Sequence, residues 1–324
     1  TVRKFVQRLN TKDLVKHATE REPDVILTTH FLPAEIFSDL ARKKNHNGAH
    51  RARLGVVITD HDVHQLWVHP KVDRYYTASE EIRYLLAERA IDSAEILATG
   101  IPCDPAFGEL MDEPARQRLR KMIGLAGTPS PTLLMNAHGC GVSGAGTAGS
   151  LAEVINVVLR KPPAKTILIV CGRNERIKSV LEQQIRVPTG CAVRVYGYVT
   201  NMQELMAVAD LTVTKPGGLT TSECLARGLP MVLVSPIPGQ EERNAEMLLE
   251  NGCAVLARTP AALSYKLETL LHDSSRLARM REGCRRTGKP NAARDIAADV
   301  VEMASRKESK SQESRSLGVE SLKV

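Results

Sequence analysis

Asp210-Leu-Thr-Val-Thr-Lys-Pro-Gly-Gly-Leu-Thr-Thr-Ser-Glu223-Cys-Leu-Ala-Arg-Gly-Leu-Pro230 is the stretch whose reading decides the fold. Leu211 to Thr214 has the length and apolar, β-branched character of a short buried strand. A glycine turn follows, and then a helix that ends at Arg227-Gly228. In the turn, Lys215-Pro216-Gly217-Gly218 lets the backbone approach a ligand with no side chain between them. The helix opening at Leu219 and Thr220 aims its unsatisfied N–H groups and positive dipole end at that turn, a ready site for a phosphate or diphosphate. Pro230-Met-Val-Leu-Val-Ser235 is a second apolar strand, and Pro236-Ile-Pro-Gly-Gln-Glu-Glu-Arg-Asn244 is a second loop feeding a second helix. A lone Gly-Gly turn or a Gln-Glu-Glu helix start is ordinary. Two strand–loop–helix units in succession put both loops at the carboxyl ends of parallel strands, where open α/β sheets bind ligands. Gln240, Glu241 and Asn244 carry donors and acceptors suited to sugar hydroxyls.

A chain of 324 residues is long enough for two domains, and 43% hydrophobic with 25% charged residues is a globular composition. No apolar run reaches the ~18 residues a membrane span requires, and Thr1-Val-Arg-Lys-Phe-Val6 lacks the apolar core of a secretory signal. The 7 cysteines are scattered without a C-x-x-C pair, which argues against a disulfide framework or a zinc site and for a reducing, cytoplasmic setting. The net charge of +7 suits an anionic membrane surface as a partner. With 3% aromatics and no nucleic-acid motif, nucleic acid is not an expected partner.

The remaining elements follow in order. Basic and apolar residues alternate from Arg3 to Lys16 as in an amphipathic helix, and a basic loop runs from Arg42 to Arg53; each is a solvated face or a lipid-headgroup contact. Pro23 to His30 and Leu54 to Asp60 read as strands separated by a helix from Pro33 to Arg42. Directly after the second strand, His61, His64 and His69 gather with Asp60, Asp62 and the chain's single tryptophan, Trp67. Any one of these histidines reads as a capping or surface group; the cluster at a strand's carboxyl end reads as functional. Asp60-x-Asp62 also matches a short metal-binding spacing, a common one. Thr132 to Gly139 opens a second domain, and a glycine-rich loop from His138 to Gly146 follows its first strand. Thr166 to Asn174 is a further strand ending in a polar turn. Helices are expected over Pro260 to His272, Ser275 to Arg286 and Ala292 to Arg306, with a polar, disordered tail over 307–324.

T-K-P-G-G-L-T-T-S-E followed by G-L-P and P-I-P-G-Q-E-E resembles the nucleotide-sugar half of family 28 GT-B glycosyltransferases, of the monogalactosyldiacylglycerol synthase and processive diacylglycerol glucosyltransferase type. Thr59, Asp60, His64, Trp67 and His69 match the T-D-x-x-x-H-x-x-W-x-H pattern of the same family, and A-H-G at 137–139 and C-G-R-N at 171–174 are similar to it as well. The resemblance implies an α/β fold of two Rossmann-like domains facing a cleft. It gives an acceptor domain over 1–110, a linker over 111–131, a UDP-sugar domain over 132–285 and a crossing helix over 286–306. It implies inverting transfer of a hexose from a UDP-sugar to diacylglycerol at a membrane surface, with no metal and no cofactor. His64 and Asp60 are then the acceptor-side catalytic candidates, and Trp67 and His69 line the acceptor loop. The UDP-sugar falls to His138, Gly139, Arg173, Val199, Met202, Gly217, Gly218, Leu219, Thr220, Glu223, Gln240 and Glu241, with Val199 at the base and Glu223 at the ribose. One departure stands out: the family's first strand carries a glycine-rich loop with a catalytic histidine, no such loop precedes Pro23, and the first domain reads as truncated. A non-catalytic UDP-sugar-binding protein and an N-acetylglucosaminyltransferase on polyprenyl-linked acceptors are the alternative readings.

Overall fold

The computed structural model describes residues 11–44, 52–128, 130–136, 151–160 and 162–305. The basic stretch before Thr11, the centre of the basic loop after Lys44, the glycine-rich loop with His138 and Gly139, and the tail lie outside the described residues. The chain divides into two compact units: one of residues 1–59, 63–101 and 292–324, the other of Asp60–Asp62 and Pro102–Asn291.

The first unit contains α1 (Lys12–Glu20), β1 (Val25–Thr28), α2 (Phe31–Lys44), β2 (Arg53–Val57), β3 (Arg74–Tyr76), α3 (Glu80–Ala87) and β4 (Ile96–Leu97). Its four strands are parallel and ordered β1-β2-β3-β4. Alternation along the strands sends Leu54, Val56 and Tyr75 into one core with Trp67, and Val57 and Tyr76 into another. Ser79 starts α3 by accepting the Ile82 N–H on its hydroxyl at 3.3 Å.

The second unit contains α4 (Glu113–Met122), β5 (Thr132–Asn136), α5 (Leu151–Arg160), β6 (Thr166–Val170), α6 (Glu175–Gln184), β7 (Ala192–Tyr196), α7 (Met202–Val208), β8 (Leu211–Thr214), α8 (Gly218–Arg227), β9 (Met231–Val234), α9 (Gln240–Glu250), β10 (Ala254–Ala257), α10 (Pro260–His272) and α11 (Ser274–Thr287). All six strands are parallel, in the order β7-β6-β5-β8-β9-β10. That is the doubly wound dinucleotide-fold order, in which the chain reverses direction across the sheet between its first and fourth strands. Both faces are covered, so the central strands read as continuous apolar runs. Leu133, Met135, Ile167, Ile169, Leu211, Val213, Val232 and Val234 pack on one side with Ile155, Val158, Leu263 and Leu267; Leu134, Leu168, Met231 and Leu233 pack on the other with Leu205, Leu225 and Leu248. β10, not among the strands expected from the sequence, lies in the short apolar run Cys253-Ala-Val-Leu-Ala257.

A final helix, α12, spans 292–305 and returns the chain to the first unit. There Ile296 packs against Val57 and Tyr76. Arg74 Nε and the Tyr76 hydroxyl both donate to Asp299 Oδ2, at 2.9 and 2.7 Å. No described helix is long and apolar enough to cross a membrane.

One carboxylate ties much of the second unit together. Asp210 Oδ1 accepts from Arg116 at 2.9 Å and from Arg281 at 3.0 Å, while Oδ2 accepts the Thr132 N–H at 2.8 Å. These bonds join α4, α11 and the start of β5 at a site that is 9% exposed. Asp210→Ala removes the acceptor shared by two guanidinium groups and a strand-opening amide, and should cost about 3 kcal/mol in urea unfolding. A loss below about 1 kcal/mol would show that the tie carries little of the stability.

Candidate functional site

The reversal point of the second sheet lies between β5 and β8, and the turn after β8 sits at its carboxyl end. β8 is buried throughout, which fixes the strand from which Lys215-Pro216-Gly217 emerges. Gly217 is the N-cap of α8, with φ −73° and ψ 138°. Any residue can adopt that conformation, and a Cβ built there meets nothing within 4 Å. Neither backbone nor packing demands a glycine, so its place fits an external group approaching the main chain. Among the described residues no side chain caps the start of α8, and its first turn has no acidic residue. By contrast, Asp112, Asn174, Thr259 and Asp273 each cap their own helix with a side-chain oxygen. Thr221 and Ser222 turn their hydroxyls back to Gly217 O (2.9 Å) and Gly218 O (2.8 Å), so they do not serve the leading amides either. The helix closes on Gly228, whose φ of +69° is the left-handed cap that glycine adopts without strain.

Further along α8, Glu223 is largely buried and forms no hydrogen bond or ion pair among the described residues. Burial raises its pKa to about 7. The half-buried Cys103 thiol is pushed up to about 11, first by burial and then by the charges of Glu223 and Asp104. Glu223 is thus a half-buried carboxylate with its hydration reduced and no hydrogen bond to another described residue.

The loop after β9 meets the same turn. Lys215 Nζ lies 3.4 Å from Glu241 Oε2, both side chains mostly buried, and the same oxygen accepts the Ile237 N–H at 2.8 Å. Asn244, expected among the sugar-facing side chains, is 1% exposed. It donates from Nδ2 to Pro216 O at 2.9 Å and accepts the His61 N–H on Oδ1 at 2.8 Å. Gln240 is exposed. At the ends of β6 and β7, Arg173 sits 5.0 Å from the centroid of the exposed Tyr198 ring, a pairing invisible in the sequence. Val199 and Met202 are half-buried against the core.

In the first unit, His64 precedes a short 3₁₀ turn over Gln65–Trp67. Phe31 stands edge-on to His64 (5.4 Å) and to Trp67 (5.8 Å), with His30 beside it at 4.2 Å. His64 Nδ1, Trp67 Nε1 and His69 Nε2 are buried with no partner among the described residues. Burial lowers the His69 pKa, and the nearby Glu35 partly opposes that shift. The Tyr75 hydroxyl, which accepts the His69 N–H and donates to its carbonyl, fixes the loop. Asp60 is 4% exposed and groups with the second unit, as does His61, whose pKa burial lowers to about 4. Among the described residues no group of three or more His, Cys, Asp or Glu is arranged to hold a metal ion.

Residues 2–103 match the family model of monogalactosyldiacylglycerol (MGDG) synthase, and residues 141–300 match that of the glycosyltransferase family 28 C-terminal domain. A processive diacylglycerol beta-glucosyltransferase of Staphylococcus carnosus is 32% identical over 279 residues, 86% of this chain and 67% of that one. The chain belongs to this glycosyltransferase family. A Bacillus mycoides member of the same name is 33% identical over 252 residues, covering 76% of this chain and 60% of that protein, so the chain spans about 60% of the length of such a relative. The fold is the GT-B fold of Acinetobacter baumannii MurG (TM-score 0.61, 16% identity, 92% of this chain and 79% of that one). It is shared with Neisseria meningitidis UDP-GlcNAc 2-epimerase bound to UDP-GlcNAc (TM-score 0.64, 13% identity, 92% and 81%). Anabaena Alr3699/HepE in complex with UDP also has it (TM-score 0.56, 16% identity, 90% and 82%).

The family's candidate ribose carboxylate has a measurable signature here. Because burial raises the Glu223 pKa from 4.5 to about 7, the folded chain keeps a proton that the unfolded chain has lost between those pH values. Stability therefore falls as pH rises through that window. Glu223→Gln removes the effect, so its stability relative to the parent should climb by on the order of 2 kcal/mol between pH 4.5 and 7.5 in parallel urea titrations. A constant difference across that range would mean the carboxylate is as well solvated as in the unfolded chain.

Proposed function

We propose that the chain binds a UDP-hexose on its second unit and transfers the sugar, with inversion, to diacylglycerol at an anionic membrane surface. The observation that carries the donor half is Gly217: among the described residues neither conformation nor packing requires its glycine, and it opens a helix whose leading amides have no side-chain cap there. A diphosphate satisfies those amides and the dipole together. Glu223, half-buried and without a partner among the described residues, suits the two hydroxyls of a ribose, which would donate to it and favour its ionised form. Arg173, Val199 and Met202 are proposed around the base, and Gln240 and Glu241 toward the hexose, with Glu241 already sharing one oxygen with Lys215.

In the proposed reaction the acceptor hydroxyl oxygen bonds to the anomeric carbon from the face opposite the diphosphate. The bond to the diphosphate breaks and its electron pair leaves with UDP, while the hydroxyl proton passes to a base. Asp60 and His64 are the candidate bases, and Trp67 and His69 the candidate acceptor contacts. Amides at Gly218, Leu219 and Thr220 would stabilise the charge arriving on the leaving diphosphate; a single preorganised donor of this kind is worth about 3 kcal/mol in comparable sites. The basic residues of the amino-terminal stretch and of the loop from Arg42 to Arg53, with a net charge of +7, support docking on acidic lipids.

Calorimetric titration with UDP tests the donor half directly. Gly217→Ala should unfold within about 2 °C of the parent, since its methyl enters open space, yet weaken UDP binding at least about tenfold by blocking the approach. Equal affinities would remove the turn from the site. Product formation from UDP-glucose or UDP-galactose in vesicles containing diacylglycerol tests the transfer, and UDP binding with no glycolipid formed would leave a binding protein only.

A further inference from the structure

Asn244 lies in α9, one turn beyond Gln240 and Glu241, and it is 1% exposed. Both ends of its amide are engaged. A prolyl carbonyl can only accept and a backbone amide can only donate, so the pair Pro216 O and His61 N–H admits a single orientation of this side chain. Asparagine alone satisfies both: aspartate lacks the donor, glutamine is a methylene longer, and alanine has neither group. The two segments it joins are informative. Pro216 O belongs to the peptide immediately before Gly217, the N-cap of the uncapped helix. The His61 N–H is one residue from Asp60, a candidate base that is itself 4% exposed. Asp60–Asp62 groups with the second unit, so the link lies within one compact body. A second tie, Lys215 to Glu241 at 3.4 Å, binds the same turn to the same helix, so α9 and the turn form a stiff pair to which Asn244 links the backbone at His61.

We propose that Asn244 is a positioning residue: it transmits occupancy of the Gly217 turn to the Asp60–Asp62 segment, so that donor binding fixes the place of Asp60. This rests on the reading of that turn as the diphosphate site. A ligand held by the amides of residues 218–220 immobilises the peptide that carries Pro216 O. The amide of Asn244 then passes that restraint to the backbone at His61, with no part of Asn244 touching the ligand.

Hydrogen–deuterium exchange of the full chain, with and without UDP, tests this. In the parent protein UDP should slow exchange in peptides covering 215–220 and, at least threefold, in those covering 60–62. Asn244→Asp keeps the acceptor for His61 and loses the donor to Pro216: basal exchange at 60–62 should stay within twofold of the parent, the UDP response at 215–220 should remain, and the response at 60–62 should vanish. Asn244→Ala loses both, and basal exchange at 60–62 should rise about tenfold. A UDP response at 60–62 that survives in Asn244→Asp overturns the proposal, as does a parent protein that responds at 215–220 and not at 60–62. A parent with no response at 215–220 instead removes the diphosphate reading, and the transmission with it. The parent's own pattern can overturn the proposal, which keeps it falsifiable even where a variant fails to fold.

Discussion

The leading amides of α8 stand at the reversal point of the six-stranded sheet, and no side chain among the described residues accepts from them. Much else in the second unit serves to hold that helix start in place. Its strand is buried on both faces, its far end is closed by Gly228, and Arg227 reaches from the last turn to the carbonyls of Ala106 and Glu109. The turn itself is braced from the side by α9 through Lys215–Glu241 and Pro216–Asn244. A group of hydrogen-bond donors that no side chain satisfies would ordinarily be a local cost. Here rigid surroundings keep it from relaxing into a capped conformation, which is how a site stays preorganised.

The nearest cation in that turn does not act as an open charge. Lys215 is paired with Glu241, and both are largely withdrawn from water. Any attraction for an anion at this turn would therefore rest on fixed backbone dipoles, which need no counter-ion to be displaced. The neutralised lysine becomes a brace. The same economy appears at Glu223, whose burial holds it near half-ionised at neutral pH, so that hydroxyl donors rather than a protein cation would complete its environment.

The parallel sheets and the glycine turn were legible in the sequence because their signals are local. A strand covered on both faces must be apolar throughout, as in Thr132 to Asn136 and Thr166 to Val170, and a Gly-Gly between such a strand and a helix marks the turn. What could not be read are pairings set by tertiary register. Gln240, Glu241 and Asn244 look equivalent as polar residues opening a helix. Only the fold separates an exposed glutamine, a glutamate paired with Lys215 and a buried asparagine joining two backbone segments. Nor does the sequence explain Gly217: the residue type suggests a special backbone angle, and the structure shows an ordinary angle with open space beside it.

The acceptor-side cluster follows a different logic. His64, Trp67 and His69 are neighbours in sequence, and the rings of His64 and Trp67 pack with Phe31 and His30 into one aromatic group within the first unit. Yet each leaves a buried ring nitrogen without a partner among the described residues. Packing alone would place a leucine or phenylalanine at such positions, since a buried polar atom left unsatisfied costs about 1–3 kcal/mol. Three such nitrogens in a six-residue span are therefore better explained by a polar group that arrives from outside than by stability, and an acceptor carrying hydroxyls has the chemistry to meet them.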